Sequence, residues 1–428
     1  MAFFFSRDTK VFMKWSKDGT TANTALYEIP VLDGFSFSQG TNTSEVTLNE
    51  AASSTGYSKR GRAMFTDSFA PAEWSFSTYM RPTKSGSGNA HALTDGVTNN
   101  QHGGANDVFA VEGPLWAAMS ATNYCDAVGV ANGSYAPATF EPKTFDFANS
   151  NAVTLGVFDL YFVLGASKDS NTAQYATGTD GVTIYKVADC SVGSASIDFD
   201  IDGIAQIAWS GQGKTIDEFD STLDMRATDS GNSITNSVAT LGLINEGVSD
   251  TDNFVRQKLT DLTATYDAGN TTGTTTGSML GTSNTTYSGI VLTGGNITIE
   301  NNLTYLTPET LGSVNQPLGH VMGTRTVSGN FTCYLSDATG GSKELFEDLQ
   351  ESRGIITNAF DLTFAIGGRS SDNHINVEVE KAHLELPTHS IEDVISVDVS
   401  FHGLPKDLSS ATAADATNEV KVTYNAAS

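Results

Sequence analysis

The segment Phe76-Ser77-Thr78-Tyr79-Met80 returns later in the chain as Phe331-Thr332-Cys333-Tyr334-Leu335. Three other signals recur around it in the same order: Leu115-Trp116-x-x-Met119 as Leu345-Phe346-x-x-Leu349, Phe158-Asp159-Leu160 as Phe360-Asp361-Leu362, and Trp209-Ser210-Gly211 as Phe401-His402-Gly403. Chance seldom gives four matches in one order. The repeats therefore predict a duplicated domain, an arrangement suited to objects that are built by stacking or ringing equivalent units.

The repeated apolar positions are expected to pack in the two cores. They are Phe76, Tyr79, Leu115, Trp116, Met119, Trp209, Phe331, Tyr334, Leu345, Phe346, Leu349 and Phe401. Most of the surrounding sequence alternates apolar and polar residues between clusters of Gly, Ser, Thr and Asn, which is typical of half-buried strands. The chain is therefore predicted to be mainly β.

In each half one run of alternating apolar residues loses its phase, after Ile184 in the first half and after Val379 in the second. A single extra residue in a strand turns every later side chain to the other face. The shift predicts a β-bulge or sharp bend near Lys186 and another near Lys381.

One helix is predicted in each half, because the apolar residues of the Leu-Trp and Leu-Phe repeats lie on one stripe of a 3.6-residue period. Pro114 suits the first position of the earlier helix. Three parts are expected along the chain: a first domain at 1–214, an insertion or elaborated linker at 215–286, and a second domain with a C-terminal arm at 287–428.

The composition argues against several partners. Lys and Arg number 23 and Asp and Glu 49, giving a net charge of −26. This charge disfavours capture of nucleic acid through its phosphates and binding to anionic membranes. No apolar run is long enough for a transmembrane helix. Cys125, Cys190 and Cys333 are far apart and are interpreted as small buried residues in a reducing cytosol.

Two motifs resemble ligand sites and are better explained as a turn that ends a strand and as a strand with a polar face. Ala208-x-x-x-x-Gly213-Lys214-Thr215 fits a loose phosphate-binding loop, but Pro405 in the repeated segment would remove an amide that phosphate needs. Asp198-x-Asp200-x-Asp202 resembles the start of a calcium loop, but Trp209 stands where a bidentate Glu is required. The seven histidines are scattered. No catalytic residue, metal ligand or cofactor is predicted.

Four features together resemble the bacteriophage tail tube (major tail) proteins. They are the opening strand segment Asp8-Thr9-Lys10-Val11-Phe12, the Gly34-Phe35-Ser36-Phe37 strand before a long polar hairpin, the Trp74-Ser75-Phe76-Ser77 strand leading to one short helix, and the closing Trp209-Ser210-Gly211-x-Gly213. The resemblance covers roughly 1–214 and 287–406. It implies two tandem, twisted antiparallel β-sandwich or half-barrel domains, each flanked by a short α-helix.

The resemblance also implies a function. Single-domain members form hexameric rings whose strands merge into a barrel around a channel, so three two-domain chains would build one pseudo-hexameric ring. Rings would stack through loops at Ser38–Phe69 and Glu300–Thr326 into a tube that conducts DNA without binding it specifically. The expected partners are the chain itself and other tail proteins, with no membrane. The protein would be made in the host cytoplasm and would reside in the virion tail.

Two questions stay open in the sequence. Asp198, Asp200 and Asp202 are either a channel-facing acidic stripe or a solvated outer face. The alternative class is a two-domain β-sandwich binding module, of carbohydrate-recognition or surface-layer type, and another tail component with the same fold is a related possibility. No motif favours an enzyme.

Overall fold

The computed structural model describes a large part of the chain. The described residues are 3–16, 24–47, 62–84, 108–120, 144–147, 155–165, 174–176, 181–220, 222–224, 254–269, 272–273, 284–308, 311, 314–351, 355–368, 373–391, 394–405 and 419–425. Cys125 and residues 225–253 of the predicted insertion lie outside them.

The described part of the N-terminal half contains thirteen strands and one α-helix. The strands are β1 Thr9–Ser16, β2 Thr24–Ile29, β3 Ser36–Thr47, β4 Arg62–Tyr79, β5 Pro82–Lys84, β6 Val108–Ala110, β7 Thr144–Asp146, β8 Phe158–Leu164, β9 Gln174–Ala176, β10 Thr183–Asp200, β11 Gln206–Gly213, β12 Thr215–Glu218 and β13 Thr222–Asp224. Helix α1 is Gly113–Ser120, so Pro114 occupies its second position rather than its first.

The described part of the C-terminal half has the same composition of elements. Its strands are β14 Asp261–Tyr266, β15 Thr272–Gly273, β16 Thr285–Tyr287, β17 Val291–Glu300, β18 Leu303–Leu306, β19 Gly319–Met322, β20 Thr326–Tyr334, β21 Ile355–Thr357, β22 Phe360–Ile366, β23 His374–Leu384, β24 Thr388–Ile391, β25 Ile395–Gly403 and β26 Lys421–Asn425, and its helix α2 is Ser342–Glu351. Short 3₁₀ turns cover Ser6–Asp8 and Gln257–Leu259. In the described part of the chain, the predicted mainly-β fold with one helix in each half is confirmed.

One sheet runs through both halves, and we call it the long sheet. Its strands pair antiparallel in the order β3-β4-β11-β10-β17-β20-β25-β24. Strands β10 and β17 are its centre, where the N-terminal half meets the C-terminal half. A second layer packs on one side of it.

The second layer is built in the same way in each half. In the N-terminal half it pairs as β2-β1-β8-β10-β12, and in the C-terminal half as β16-β14-β22-β23-β26. The first part of β10 belongs to the second layer and its last part to the long sheet. Strand β23 likewise pairs with β25 of the long sheet at its end.

Both predicted bulges are confirmed, and they lie at equivalent positions. Residues 188–189 lie opposite the single residue Asp159 where β10 pairs with β8. Residues 380–381 lie opposite Asp361 where β23 pairs with β22. An extra residue bends a strand and increases its twist. The bulge therefore marks the point at which each long strand leaves the second layer.

The predicted match between Trp209 and Phe401 is displaced by two residues. Phe76 lies opposite Trp209, whereas its repeat Phe331 lies opposite Val399. Side chains alternate between the faces of a strand, so a slip of two residues keeps the same face buried. The apolar pattern of the sequence could not distinguish the two alignments.

The core lies between the long sheet and the second layer. Every residue of α1 is buried there, and the Trp116 indole packs edge-on to Trp209 at 4.7 Å between ring centroids. On α2, Leu345, Phe346 and Leu349 are buried. Of the twelve repeated positions predicted to pack, ten are buried, Tyr79 is half-buried and Tyr334 is 40% exposed. Cys190 and Cys333 are buried free thiols.

The boundaries 1–214, 215–286 and 287–428 stay a prediction. Two strands within the middle segment take part in the common pairing scheme. Strand β12 pairs with β10 as β26 pairs with β23, and β14 pairs with β22 as β1 pairs with β8. In addition, Tyr287 lies opposite Ala264 as Tyr27 lies opposite Met13.

Candidate functional site: the polar face and the two outer edges of the long sheet

The two faces of the long sheet differ sharply in chemistry. One face points into the core, and its side chains, such as Trp209, Ile297 and Phe401, are buried. The opposite face carries hydroxyl and amide side chains from every strand of the sheet. Examples are Ser38, Ser75, Ser210, Ser196, Thr298, Ser328, Ser400 and Thr388.

Charge on this polar face has one sign. Five exposed carboxylates lie on it: Glu73, Asp198, Asp200, Glu300 and Asp398. Among the described residues of these eight strands, Lys and Arg occur only as Arg62, at the start of β4, and Lys186, in the part of β10 that belongs to the second layer. In the described part of the polar face, Lys and Arg are therefore absent between the carboxylates, and His402 is the nearest ionisable base.

The structure separates the predicted acidic stripe into two parts. Asp198 and Asp200 are exposed on the polar face at the end of β10. Asp202 is exposed in the turn that follows the strand. The side-chain amide of Gln257 donates to the backbone carbonyl of Asp198 at 2.8 Å, which fixes this turn against the sheet. Among the described residues no group of three His, Cys, Asp or Glu is arranged to hold a metal ion.

The junction between β10 and β17 joins the halves by direct strand pairing. Residues 194–200 of β10 lie opposite residues 300–294 of β17 in an unbroken register. On the polar face the Ser196 and Thr298 hydroxyls, which are directly opposite, lie 3.3 Å apart. A shallow groove of about 470 Å³ runs beside this junction, with Glu73 and Glu300 among its lining residues.

The two outer strands of the long sheet each have one edge without a partner strand in the described part of the chain. Strand β3 pairs only with β4, and β24 pairs only with β25. All four residues of β24 are exposed, and Ile391 is 81% exposed. An exposed edge presents unpaired N–H and C=O groups that can accept another strand. The outer edges are therefore candidate assembly contacts.

Two hairpin arms extend from one end of the long sheet, and we call them the arms: the distal part of β3–β4 and the β18–β19 hairpin. Asn315 joins them, since its carbonyl accepts from the Phe69 amide at 2.9 Å and its amide donates to the Asp67 carbonyl at 3.2 Å. The arms expose a group of apolar side chains: Met64, Phe65, Leu306, Leu311, Val314, Leu318 and Val321. Exposed apolar clusters of this kind are typical of contact surfaces.

A buried polar network locks the two halves together beneath the sheet. Arg325 donates through Nε to Asn301 at 3.0 Å and through Nη1 to the Phe147 carbonyl at 3.0 Å. The same Nη1 lies 3.3 Å from the Glu419 carboxylate. Burial lowers the pKa of Arg325 and raises the pKa of Glu419, and the charge of each opposes the shift of the other. Asn301 also donates to the Met119 carbonyl at the end of α1, at 3.1 Å.

A second buried group ties the last strand to α1. The Trp116 indole donates to the Tyr424 hydroxyl at 2.8 Å, and that hydroxyl donates to the Glu112 carboxylate. Burial raises the pKa of Glu112 to about 7, although the hydrogen bonds from Tyr424 and the Arg81 amide oppose the shift. Strand β26 also pairs with β7, so the last strand contacts the N-terminal half through both α1 and β7.

Sequence reasoning missed both networks. Arg325, Asn301 and Glu112 are single polar residues that belong to no repeated pattern. Their roles depend on the close approach of segments far apart in the chain, such as the 308 positions that separate Trp116 from Tyr424. A repeat reveals only what the halves share, whereas several of these contacts, such as Arg325 to Phe147 and Trp116 to Tyr424, join one half to the other.

Comparison with known proteins agrees with the resemblance in the sequence. No protein-family model matches the chain. In sequence the chain is similar to a phage tail tube protein, and its mainly-β antiparallel fold is consistent with that class. The relative is the tail tube protein pb6 of Escherichia phage T5, which is 26% identical over 418 residues, covering 95% of this chain and 74% of the relative.

The similarity confirms the predicted resemblance to phage tail tube proteins and the predicted location in the virion tail. It also supports a structural role in the tail tube. In the described residues, neither helix has the length and apolar character needed to cross a membrane.

Proposed function

We propose that the protein polymerises into the tail tube, with three chains closing into each pseudo-hexameric ring and rings stacking around a channel for DNA. The observation that carries this proposal is the strand pairing of β10 with β17. It joins β10, the last strand of the N-terminal part of the long sheet, to β17, the first strand of its C-terminal part. The outer edges of β24 and β3 are the equivalent pair of edges, so another copy can continue the sheet in the same way.

The pairing scheme supports a revised division of the chain. In our proposal the first repeat runs from β1 to β12 and the second from β14 to β26. The second repeat then begins at Asp261, within the segment 215–286. In the described residues each repeat has one helix and a strand, β10 or β23, with a bulge at the equivalent position. Two repeats of equal construction allow a threefold ring to present six similar lobes.

Stacking of rings is assigned to the arms. They lie at one end of the long sheet and carry exposed apolar residues such as Phe65 and Leu318. At the opposite end of the long sheet, Ile201, Val291 and Ile395 are also exposed. Burial of apolar surface stabilises association by about 25 cal/mol per Å² before the entropy of ordering is subtracted. We propose that the arms of one ring pack against the opposite end of the next.

The polar face is assigned to the channel. The core, the helices and the second layer all lie on the other side of the long sheet, so closing the sheet into a ring leaves the polar face as the inner wall. Its carboxylates, including Asp198 and Asp200, would repel DNA phosphates, and its hydroxyls offer no positive charge to retain them. Such a wall lets DNA pass without specific binding. The role is structural rather than enzymatic.

Electron microscopy of the purified full chain tests the proposal. We expect rings or tubes, and averages of single rings with threefold symmetry and six similar lobes. Sixfold rings of six whole chains would overturn the fused-repeat arrangement. Monodisperse particles with no ring or tube under any salt or seeding condition would instead favour the binding-module class.

A further inference from the structure

We propose that β24 of one chain pairs antiparallel with β3 of the next chain in one defined register, with Thr388 directly opposite Ser38 of the next chain. This inference rests on the proposed ring and goes further, because it fixes which residues meet. It follows from the register of the junction inside the chain and from the equivalence of the two halves.

The residue of β24 that is equivalent to Ser196 of β10 follows from two sets of opposed residues. Ser77 and Thr332 occupy the same place in the repeated segment. Ser77 lies opposite Ala208, which lies opposite Ser196. In the C-terminal half Thr332 lies opposite Asp398, which lies opposite Thr388. Thr388 is therefore the equivalent of Ser196.

The residue of β3 that is equivalent to Thr298 of β17 follows in the same way. Glu73 and Ser328 stand three residues before Phe76 and Phe331 of the repeated segment. Glu73 lies opposite Ser38, and Ser328 lies opposite Thr298. Ser38 is therefore the equivalent of Thr298.

The junction inside the chain gives the register of the junction between chains. Inside the chain Ser196 is opposite Thr298, with their hydroxyls 3.3 Å apart on the polar face. Replacing each residue by its equivalent places Thr388 opposite Ser38 of the next chain. The hydroxyl pair is retained, with serine and threonine exchanged. Opposed Ser and Thr side chains stabilise a strand pair by a cross-strand hydrogen bond.

The same register gives the exposed apolar residue of β24 a partner. Phe199 lies opposite Gly295 in the chain, and their equivalents are Ile391 and Phe35. Ile391 is 81% exposed in the single chain, and Phe35 is half-buried against the core. A β-branched residue beside an aromatic one is a favourable cross-strand pair. A slip of one residue would turn Ile391 onto the polar face, so the apolar pattern excludes the registers one residue away.

Four engineered cysteines test the register in the full chain. Thr388→Cys with Ser38→Cys, and Ser390→Cys with Ser36→Cys, are in register. Thr388→Cys with Ser36→Cys, and Ser390→Cys with Ser38→Cys, use the same four substitutions two residues out of register. Opposed residues of an antiparallel pair have Cα atoms about 4.5–5.5 Å apart, which a disulfide can bridge. Ser196→Cys with Thr298→Cys is the internal standard, because its disulfide forms within one chain.

After mild oxidation of assembled protein, we expect both in-register variants to give covalent dimers and trimers on non-reducing gels, at a yield close to that of the internal standard. The off-register variants should give at least fivefold less. The unsubstituted chain, which keeps Cys125 and the buried Cys190 and Cys333, measures the background from the native cysteines.

Each outcome has one meaning. Rings with efficient cross-links only in the off-register variants, or in none of the four, would overturn the register and leave the ring intact. Absence of rings from the unsubstituted chain would overturn the ring and the register together. The two in-register variants are independent, so failure of one to fold leaves the other to decide.

Discussion

Trp74 lies directly opposite Gly211 across β4 and β11, and its ring occupies the space where a side chain on Gly211 would begin. A β-carbon there would lie 2.4 Å from the ring and 2.2 Å from the Ser191 carbonyl. The equivalent position of the other half shows the reverse arrangement. Gly329 is on β20, and the ring of Phe401 on β25 would lie 2.7 Å from a β-carbon at this position.

Substitution of either covered glycine is expected to destabilise the fold. Gly211→Ala or Gly329→Ala forces an aromatic ring and a backbone carbonyl to move, which typically costs about 1–3 kcal/mol of the free energy of unfolding. Gly319→Ala is the matched control, since a β-carbon on this strand glycine meets nothing within 4 Å. Denaturant unfolding of the three variants measures the difference. Equal midpoints for all three would show that the covered glycines have no steric role.

The exchange of aromatic and glycine explains how far the sequence could predict the fold. Features that both halves share were visible in it, including the two bulges, the two helices and the apolar face of each strand. The sequence match of Trp209 with Phe401 is two residues out of register. The large side chain that covers the glycine lies on β4 in the N-terminal half and on β25 in the C-terminal half, whereas the same face of each strand stays buried. A period of two conceals such a slip.

Other features had no signal in the sequence. Strand β14 begins the C-terminal pairing scheme, yet its Leu262, Ala264 and Tyr266 share no residue with their counterparts on β1, so no repeat was recognisable there. The sequence showed the polar face only as alternating apolar and polar residues within single strands. Its outer edges could be identified only after the order of the strands was known.

The buried ion pair between Arg325 and Glu419 gives a second prediction. Arg325→Met leaves the Glu419 carboxylate buried without its cation, so the free energy of unfolding should fall by about 3–5 kcal/mol. Arg325→Met with Glu419→Leu removes both charges and should recover a large part of this loss. Lys343→Met, which breaks an exposed pair with Asp337, should change little. A double variant no more stable than Arg325→Met would show that Arg325 acts through Asn301 and Phe147 instead.

The raised pKa of Glu112 predicts a pH dependence of stability. An unfolded chain ionises this carboxyl near its ordinary value of 4.5, whereas the folded chain keeps the proton until about pH 7. The folded state therefore binds the extra proton in this window, and stability falls as pH rises through it, by about 3 kcal/mol in all. Glu112→Gln should remove this slope while keeping an acceptor for Tyr424.

The measurement compares unfolding free energies at pH 5 and pH 8. Glu112→Gln should gain more over the unsubstituted chain at pH 8 than at pH 5. Glu218→Gln, at an exposed position on β12, is the control for general charge effects. A gain that is the same at both pH values would contradict a protonated Glu112 in the folded state.

Ring closure and ring stacking should be separable by single lysines. Ile391→Lys places a charge at the outer edge of β24, which disfavours strand pairing, so we expect folded single chains and no rings. Phe65→Lys places the same charge on the arms, so we expect rings that do not form tubes. Analytical ultracentrifugation and electron microscopy distinguish these products, and each variant is the control for the other. Tubes formed by Ile391→Lys would exclude β24 from the ring contact.

The assignment of the polar face to the channel can be tested by the size of a labelling reagent. Asp200→Cys places a thiol on the polar face, and Glu218→Cys places one on the second layer. In the dissociated chain, both thiols should react with a small maleimide and with a maleimide carried on a bulky polymer. In assembled tubes the small reagent should still reach both, because it diffuses through the channel. The bulky reagent should label Glu218→Cys at its former rate and Asp200→Cys at least tenfold more slowly. Equal labelling of the two thiols in tubes would place the polar face on the outside, and the carboxylates of β10 would then be a solvated outer surface.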